Sequence, residues 1–299
     1  MESLRPSATG SALGTLLVSP SPSHRETRSV PRPRQGIHQY AVVTAVATFC
    51  LLIAGALVTS TDSGLAVPDW PLSYGTWFPP MVGGILYEHG HRMIAATVGL
   101  MIVGLAVWLW RVEPRRWVRR LGYSALAAVI IQGLLGGLTV LLLLPPQVSI
   151  AHACLGQAVF CLVVCLVRSL SPSWDHAPRG HDDGARSALR PLSAVVAILA
   201  GSQVLIGAML RHTGVGLSWH VTAAALLVLG CGIVVIRAQR SAVSSAVRQG
   251  ARRLGGLVGL QVGLGWLALA TREQVGFITA HVGLGALVLA QAVLLMWDA

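Results

Sequence analysis

Charge is scarce in this chain. Only 11% of its 299 residues are Asp, Glu, Lys or Arg, where a soluble domain carries roughly a quarter. With 54% hydrophobic residues and a mean hydropathy of +0.68, that scarcity excludes an ordinary soluble globular protein. Lysine is missing altogether, so the basic count of 22 is entirely arginine. The five cysteines, Cys50, Cys154, Cys161, Cys165 and Cys231, all fall within apolar runs. No outer-face disulfide is expected, and no cysteine–histidine cluster meets at one loop as a zinc site would require. The helical spacing of Cys154, Cys161 and Cys165 reads as small apolar filler.

What the chain does have is long apolar runs. Eight are expected, near 39–60, 86–110, 121–144, 149–168, 190–210, 216–237, 254–271 and 276–297. A spanning helix needs about 20 apolar residues, whereas barrel strands would alternate over about ten. The fold class is therefore all-α, a polytopic membrane protein with eight transmembrane helices. A net charge of +11 could suggest nucleic acid, but its distribution argues against that partner. Nineteen of the 22 arginines fall on one side of an eight-span arrangement, and only Arg92, Arg211 and Arg272 on the other. The bias of arginine toward cytoplasmic loops then places both termini in the cytoplasm, with the chain in the cell inner (cytoplasmic) membrane and a secondary attraction to anionic lipid.

Residues 1–36 are rich in Ser, Pro and Arg and read as a disordered cytoplasmic tail. The competing reading is a mitochondrial transit peptide, which would place the chain in the mitochondrial inner membrane. The remainder divides into an N-terminal four-helix half over 37–168, a cytoplasmic linker over 169–189 and a C-terminal half over 190–299.

This division rests on a repeat. His91 and His152 are 61 residues apart, as are His220 and His281, and the pairs are offset by 129. Gln132-Gly133-Leu134-Leu135-Gly136 recurs as Gln261-Val262-Gly263-Leu264-Gly265, and Ala151-His152 through Gly156 recurs as Ala280-His281 through Gly285. Gly55-Ala56 matches Gly207-Ala208 at an offset of 152, so the first half carries 23 extra residues before its first histidine. Four spans per half make the repeats parallel, related by an axis along the membrane normal. All four histidines then lie within a turn or two of the outer boundary. Gly133, Gly137, Gly263 and Gly265 are expected to keep neighbouring helices close.

A single histidine near a span end is more often an interfacial or hydrogen-bonded residue than a ligand. Four at one depth in a duplicated frame point instead to two sites, since imidazole inside a membrane is costly. Two facing neutral imidazoles suit the axial positions of a haem iron in a bundle core. Arg92 and Arg211, near the same boundary, are candidates for haem propionates, the plain alternative being interfacial anchors. The halves differ around this frame. Glu88 lies one turn before His91 and on its face, where the second half has Leu217. Such a carboxylate can act as acid, base or cation stabiliser. It can equally be a helix N-terminal acid or an ion pair with Arg92. His89 and His212 lie near the sites but off the frame, which suits supporting or surface roles. The insertion, rich in proline and aromatics, suits a stiff lid at the headgroup level, or a plain interfacial loop.

These residues resemble the haem A synthase family. The resemblance covers residues 40 to 295 and is most specific in Thr61-Asp62-Ser63-Gly64-Leu65-Ala66-Val67-Pro68-Asp69-Trp70-Pro71 and in Glu88-x-x-His91-Arg92. His152, His220 and His281 match the other family histidines, and Arg211-His212-Thr213-Gly214 is similar to a family motif. The resemblance implies oxidation of the methyl group at ring position 8 of haem O to a formyl group, through a hydroxymethyl intermediate, giving haem A for terminal oxidases. It implies that the substrate haem O sits with His91, His152 and a catalytic Glu88, where Glu88 stabilises a cation or positions water. It implies a resident haem b, an iron cofactor, on His220 and His281. Expected partners are haem O synthase, oxidase assembly factors and an electron carrier. Some members carry a cysteine pair in the first outer loop. Here Ala66 and Ser73 stand in that region, so no redox role for such a pair is expected.

Two other readings share parts of this pattern. A dihaem membrane cytochrome that passes electrons would use the four histidines but has no need of Glu88 or the loop. A transporter or haem-export module would suit parallel repeats but needs a polar path open to both sides.

Overall fold

The computed structural model describes residues 32–175, 183–272 and 274–299. Most of the expected tail, residues 1–31, and residues 176–182 of the expected linker lie outside the described residues. Nine helices are described: α1 (Arg32–Ser60), α2 (Gly84–Val112), α3 (Arg116–Leu141), α4 (Pro146–Leu170), the single turn α5 (Pro172–Asp175), α6 (Asp183–Thr213), α7 (Leu217–Arg240), α8 (Ser245–Ala270) and α9 (Val275–Asp298). Among the described residues no strand forms beyond one isolated bridge, Ser73 with Thr76. Eight helices are long and apolar enough to cross a membrane. The chain is an all-helical, multi-pass membrane protein.

The helices overrun the apolar runs at their arginine-bearing ends, because the helical backbone continues past the hydrocarbon boundary. One run is shorter than expected. Leu142–Leu144 are apolar but leave the helix, since the two prolines that follow them disfavour helical backbone. Leu143 and Leu144 instead turn with φ of 59° and 58°, and the Leu144 N–H closes on the Thr139 carbonyl at 2.7 Å.

In each half the helices form a ring. α1 packs on α2, α2 on α3, α3 on α4 and α4 on α1; likewise α6 on α7, α7 on α8, α8 on α9 and α9 on α6. The rings meet where α1 touches α9, α4 touches α6 and α4 touches α9, so α4 and α9 are the central helices. Half of the apolar window of α9 is buried, against 11% for α8. Each half has its own apolar core, and a third cluster of Phe160, Cys161, Ala286 and Ala290 seals the seam. Leu100, Ile198, Leu229 and Trp266 face outward, an apolar perimeter that lipid covers. At the arginine-rich end Arg168 pairs with Asp298 at 2.9 Å, joining α4 to α9. Trp117, Trp174 and Trp297 cluster there with ring centroids 5.8 to 6.4 Å apart.

The expected helix-spacing glycines act otherwise. A Cβ on Gly137 would meet the Trp70 ring of the loop, one on Gly265 would meet His281, and Gly133 and Gly263 face open space. The close approach between the halves is at Gly283, where a Cβ would run into the Ile53 side chain of α1. Gly283→Leu is expected to overpack this seam and to cost about 1–3 kcal/mol. Thermal unfolding in detergent should show a lowered midpoint with native helix content at low temperature; an unchanged midpoint contradicts the seam assignment.

Candidate haem-binding pockets

The spans form four helical hairpins, α1–α2, α3–α4, α6–α7 and α8–α9, with one frame histidine on the second helix of each. His91, His152, His220 and His281 each lie three to seven residues into their helix, near the end opposite the arginine-rich loops. Opposite each ring, on the first helix of the same hairpin, is a glycine. A Cβ on Gly55 would lie 3.1 Å from the His91 Cε1, on Gly136 3.1 Å from that of His152, on Gly207 3.0 Å from that of His220, and on Gly265 3.0 Å from that of His281. A Cβ at any of the four would press on the ring and displace it by a few tenths of an ångström, so glycine gives the rings their room.

The Nδ1 atom of every one of the four is buried without a close hydrogen bond, with backbone polar groups of Leu51, Gln132 and Gln261 near the rings of His91, His152 and His281. Packing sets the ring positions, aided at three of them by a glutamine side chain. Gln132, Gln203 and Gln261 donate from Nε2 to the backbone carbonyl of His152, His220 and His281, at 2.9, 3.1 and 3.0 Å. The same amide nitrogens lie 3.4, 3.2 and 3.2 Å from the ring Nε2 atoms. Residue 203 escapes the comparison of halves because its first-half counterpart, at an offset of 152, is Leu51. The visible signal is within the hairpins, a Gln-x-x-x-Gly step at 132–136, 203–207 and 261–265.

His220 and His281 face one another with ring centroids 6.3 Å apart and planes inclined by 63°. A metal–imidazole nitrogen bond is about 2 Å and a ring centre lies roughly 1 Å behind that nitrogen, so two axial imidazoles on one metal place their centroids about 6 Å apart. The centroid separation of the pair matches that distance. Among the described residues no three His, Cys, Asp or Glu side chains converge on a point. His91 and His152 lie within electrostatic reach of one another.

The first half alone carries a folded loop. The α1–α2 connection runs over 61–83, whereas α6 and α7 are joined by 214–216. The rest of the insertion lengthens α2. Gly84 starts seven residues before His91, and Leu217 starts three before His220. The extra helical turn is 84–87, immediately before Glu88 and His89, whose side chains meet the loop. Glu88 is buried. Its Oε2 accepts the Val67 N–H at 2.8 Å and its Oε1 pairs with Arg92 at 2.5 Å. Arg92 also donates to the carbonyls of Asp69 at 2.7 Å, Leu72 at 2.8 Å and Val67 at 3.3 Å. Both ends of the guanidinium are engaged with the loop and Glu88, rather than turned toward the bundle axis. His89 Nδ1 meets the buried Ser73 hydroxyl at 2.7 Å. The loop is pinned to α3 by Trp70 over Gly137, and its tip exposes Tyr74, Trp77 and Phe78. Arg211 donates to the Thr59 carbonyl at 2.9 Å, tying α6 to the end of α1 across the seam.

Asp69 organises the loop's turn. Its carboxylate accepts the Tyr74 N–H at 2.6 Å and the Gly75 N–H at 2.8 Å. These bonds, that from Gly75 foremost, hold its pKa below the ordinary 3.8. A depressed carboxylate pKa stabilises the turn above 3.8 and loses that contribution as pH falls through the folded value.

A family model described as Cytochrome oxidase assembly protein matches residues 82–223. A heme A synthase of Symbiobacterium thermophilum is 30% identical over 184 residues, 59% of this chain and 60% of that protein. A heme A synthase of Alkalihalophilus pseudofirmus is 39% identical over 101 residues, 32% of this chain and 34% of its own length. A protoheme IX farnesyltransferase of Halobacterium salinarum is 30% identical over 223 residues, 67% of this chain and 48% of its own. The chain thus spans less than two thirds of each of these relatives.

Arg92→Gln removes the charge that gathers the loop carbonyls. Breaking such a buried network costs about 3–5 kcal/mol, so limited proteolysis should cut between Val67 and Phe78 much faster than in the parent while α6–α9 stay protected. Equal cutting rates would contradict the clasp. In the parent, hydrogen exchange at Tyr74 and Gly75 should stay constant from neutral pH to about pH 4, after correction for intrinsic rates, and rise only below the 3.8 reference.

Proposed function

The chain belongs to the haem A synthase family, and from that premise we propose that it oxidises the C8 methyl group of haem O to a formyl group. One observation carries the assignment within the molecule. Of two histidine pockets built alike, only the first has a buried carboxylate and a clasped loop beside it.

In this reading the substrate haem O is held by His91 and His152, and a resident haem b by His220 and His281. Iron supplies the redox chemistry, and the protein supplies position and exclusion of water. The loop over 61–83 covers the outer end of the first half, which keeps a reacting ring edge from bulk solvent. Glu88, one helical turn before His91, is the candidate catalytic residue. Its two hydrogen bonds hold it in place, where it stabilises positive charge at the reacting carbon or positions water for the hydroxymethyl stage. Arg211, at the seam, is assigned to a propionate. Arg92 can take the same role only by releasing part of the loop, so its first role is to orient Glu88. The arginine-rich ends are placed in the cytoplasm, which puts both pockets toward the outer leaflet of the cell membrane.

The relative named for protoheme IX farnesyl transfer supports a place in the same haem chemistry, with this chain consuming farnesylated haem. A dihaem cytochrome remains the second reading, favoured only by the matching histidine frames. It leaves the loop and Glu88 without a task.

Glu88→Gln is expected to retain haem b and to lower formyl-haem production by about 100-fold or more, in the range for a positioned acid or base. Comparison with Arg92→Gln separates chemistry from clasping. If Glu88 only holds the loop, the two variants lose activity equally and both open the loop to protease. His220→Ala should lose the haem b spectrum; a normal spectrum would sink the assignment of the halves.

A further inference from the structure

Helix α3 begins against its own electrostatics. The first turn of a helix carries the positive end of the macrodipole, where acidic side chains are favoured and cations are not. α3 has no acid in its first turn and no side-chain cap at Arg115. It opens instead with Arg116, Arg119 and Arg120. Together with Trp110 of α2, and Tyr123 one turn further in, these three line a cavity of about 270 Å³ at the arginine-rich end. No acid neutralises them. The adjacent Glu113 is buried, and its carboxylate is held by Arg115 at 2.7 and 3.0 Å. Arg119 reaches only the Glu113 carbonyl, at 3.5 Å. Arg116 and Arg120 are exposed, and among the described residues neither forms an ion pair. Arg168, at the same end, shows the contrast, since it is paired with Asp298.

The surface beyond the arginines is apolar. Ile130 and Leu134 follow Tyr123 at helical spacing on α3, Val107 and Val103 precede Trp110 on α2, and all four are exposed. The cavity is thus a cationic mouth over an apolar track. Trp and Tyr flank it, the two residues that suit headgroup depth. A free phosphate would use the arginines alone, whereas a phospholipid uses both parts. A choline or ethanolamine head would bring an ammonium group that meets no free carboxylate in this cavity.

We propose that Arg116, Arg119 and Arg120 bind the phosphate of an anionic phospholipid, whose acyl chains lie along α2 and α3. Basic pockets between spanning helices suit such headgroups. The site is independent of any haem reading, because it lies at the opposite end of the helices from the four histidines.

The test uses the full-length protein in detergent, with dioleoylphosphatidylglycerol as the probe and native mass spectrometry to count bound lipid. One molecule per chain should bind ahead of all others, and dioleoylphosphatidylcholine should bind about 10-fold more weakly or worse. Arg116→Gln combined with Arg120→Gln should weaken the phosphatidylglycerol about 10- to 30-fold. Arg248→Gln combined with Arg253→Gln removes the same charge at the same end but outside the cavity, and should leave binding at the parental level. Equal weakening in the two double variants would reduce the site to diffuse attraction and overturn the proposal. So would equal affinity of the parent for the two lipids. Millimolar inorganic phosphate should leave the lipid in place. Its displacement by phosphate would mean a free-anion site and would overturn the lipid assignment.

Discussion

A histidine ring set against a glycine, across one hairpin, is the contact on which the rest of this structure depends. It occurs four times, at Gly55–His91, Gly136–His152, Gly207–His220 and Gly265–His281. In an apolar bundle an imidazole has few polar partners, and none of the four Nδ1 atoms has a close one. Much of their position comes from shape. The missing Cβ lets the ring sit tight against the neighbouring backbone, and the ring geometry of each half carries the histidines of α2 and α4, or of α7 and α9, around one core. The 6.3 Å separation of His220 and His281 follows from this packing.

Asymmetry is built on top of the repeated contact without disturbing it. The insertion lengthens α2 by about one turn of helix, and just after that turn Glu88, His89 and Arg92 meet a loop whose carbonyls need donors. Arg92 supplies them for Val67, Asp69 and Leu72, and Glu88 returns an acceptor to the Val67 N–H. The second half joins α6 to α7 in three residues, 214–216, and has nothing to clasp. One histidine pair therefore has a clasped loop and a carboxylate beside it, while the other has neither.

Much of this was legible in the residues. Long uncharged runs identify the spans, because hydrocarbon admits little else. The histidine frame is legible because the same residue recurs at one spacing in both halves. Glu88 with Arg92 is legible as an i, i+4 pair on one helix face. Other features were not. Gln203 is hidden from any comparison of halves, since its counterpart is Leu51, and it becomes visible only when hairpins are compared with hairpins. The tasks of Arg92 and His89 depend on the path of the loop, which the turn at Asp69 and the bridge between Ser73 and Thr76 determine. Gly137 and Gly265 looked like helix-spacing residues because small residues at such intervals usually are. In the fold one makes room for Trp70 and the other for His281.

In the proposed division of labour, chemistry belongs to the first pocket and a permanent haem to the second. The most direct measurement is pigment extraction from membranes that express this chain together with a source of haem O, for the parent and for His91→Ala. Formyl haem is expected in the parent, and in the variant no formyl haem but an unchanged haem b content. Formyl haem made at the parental level by His91→Ala, or haem b lost with it, would contradict the division.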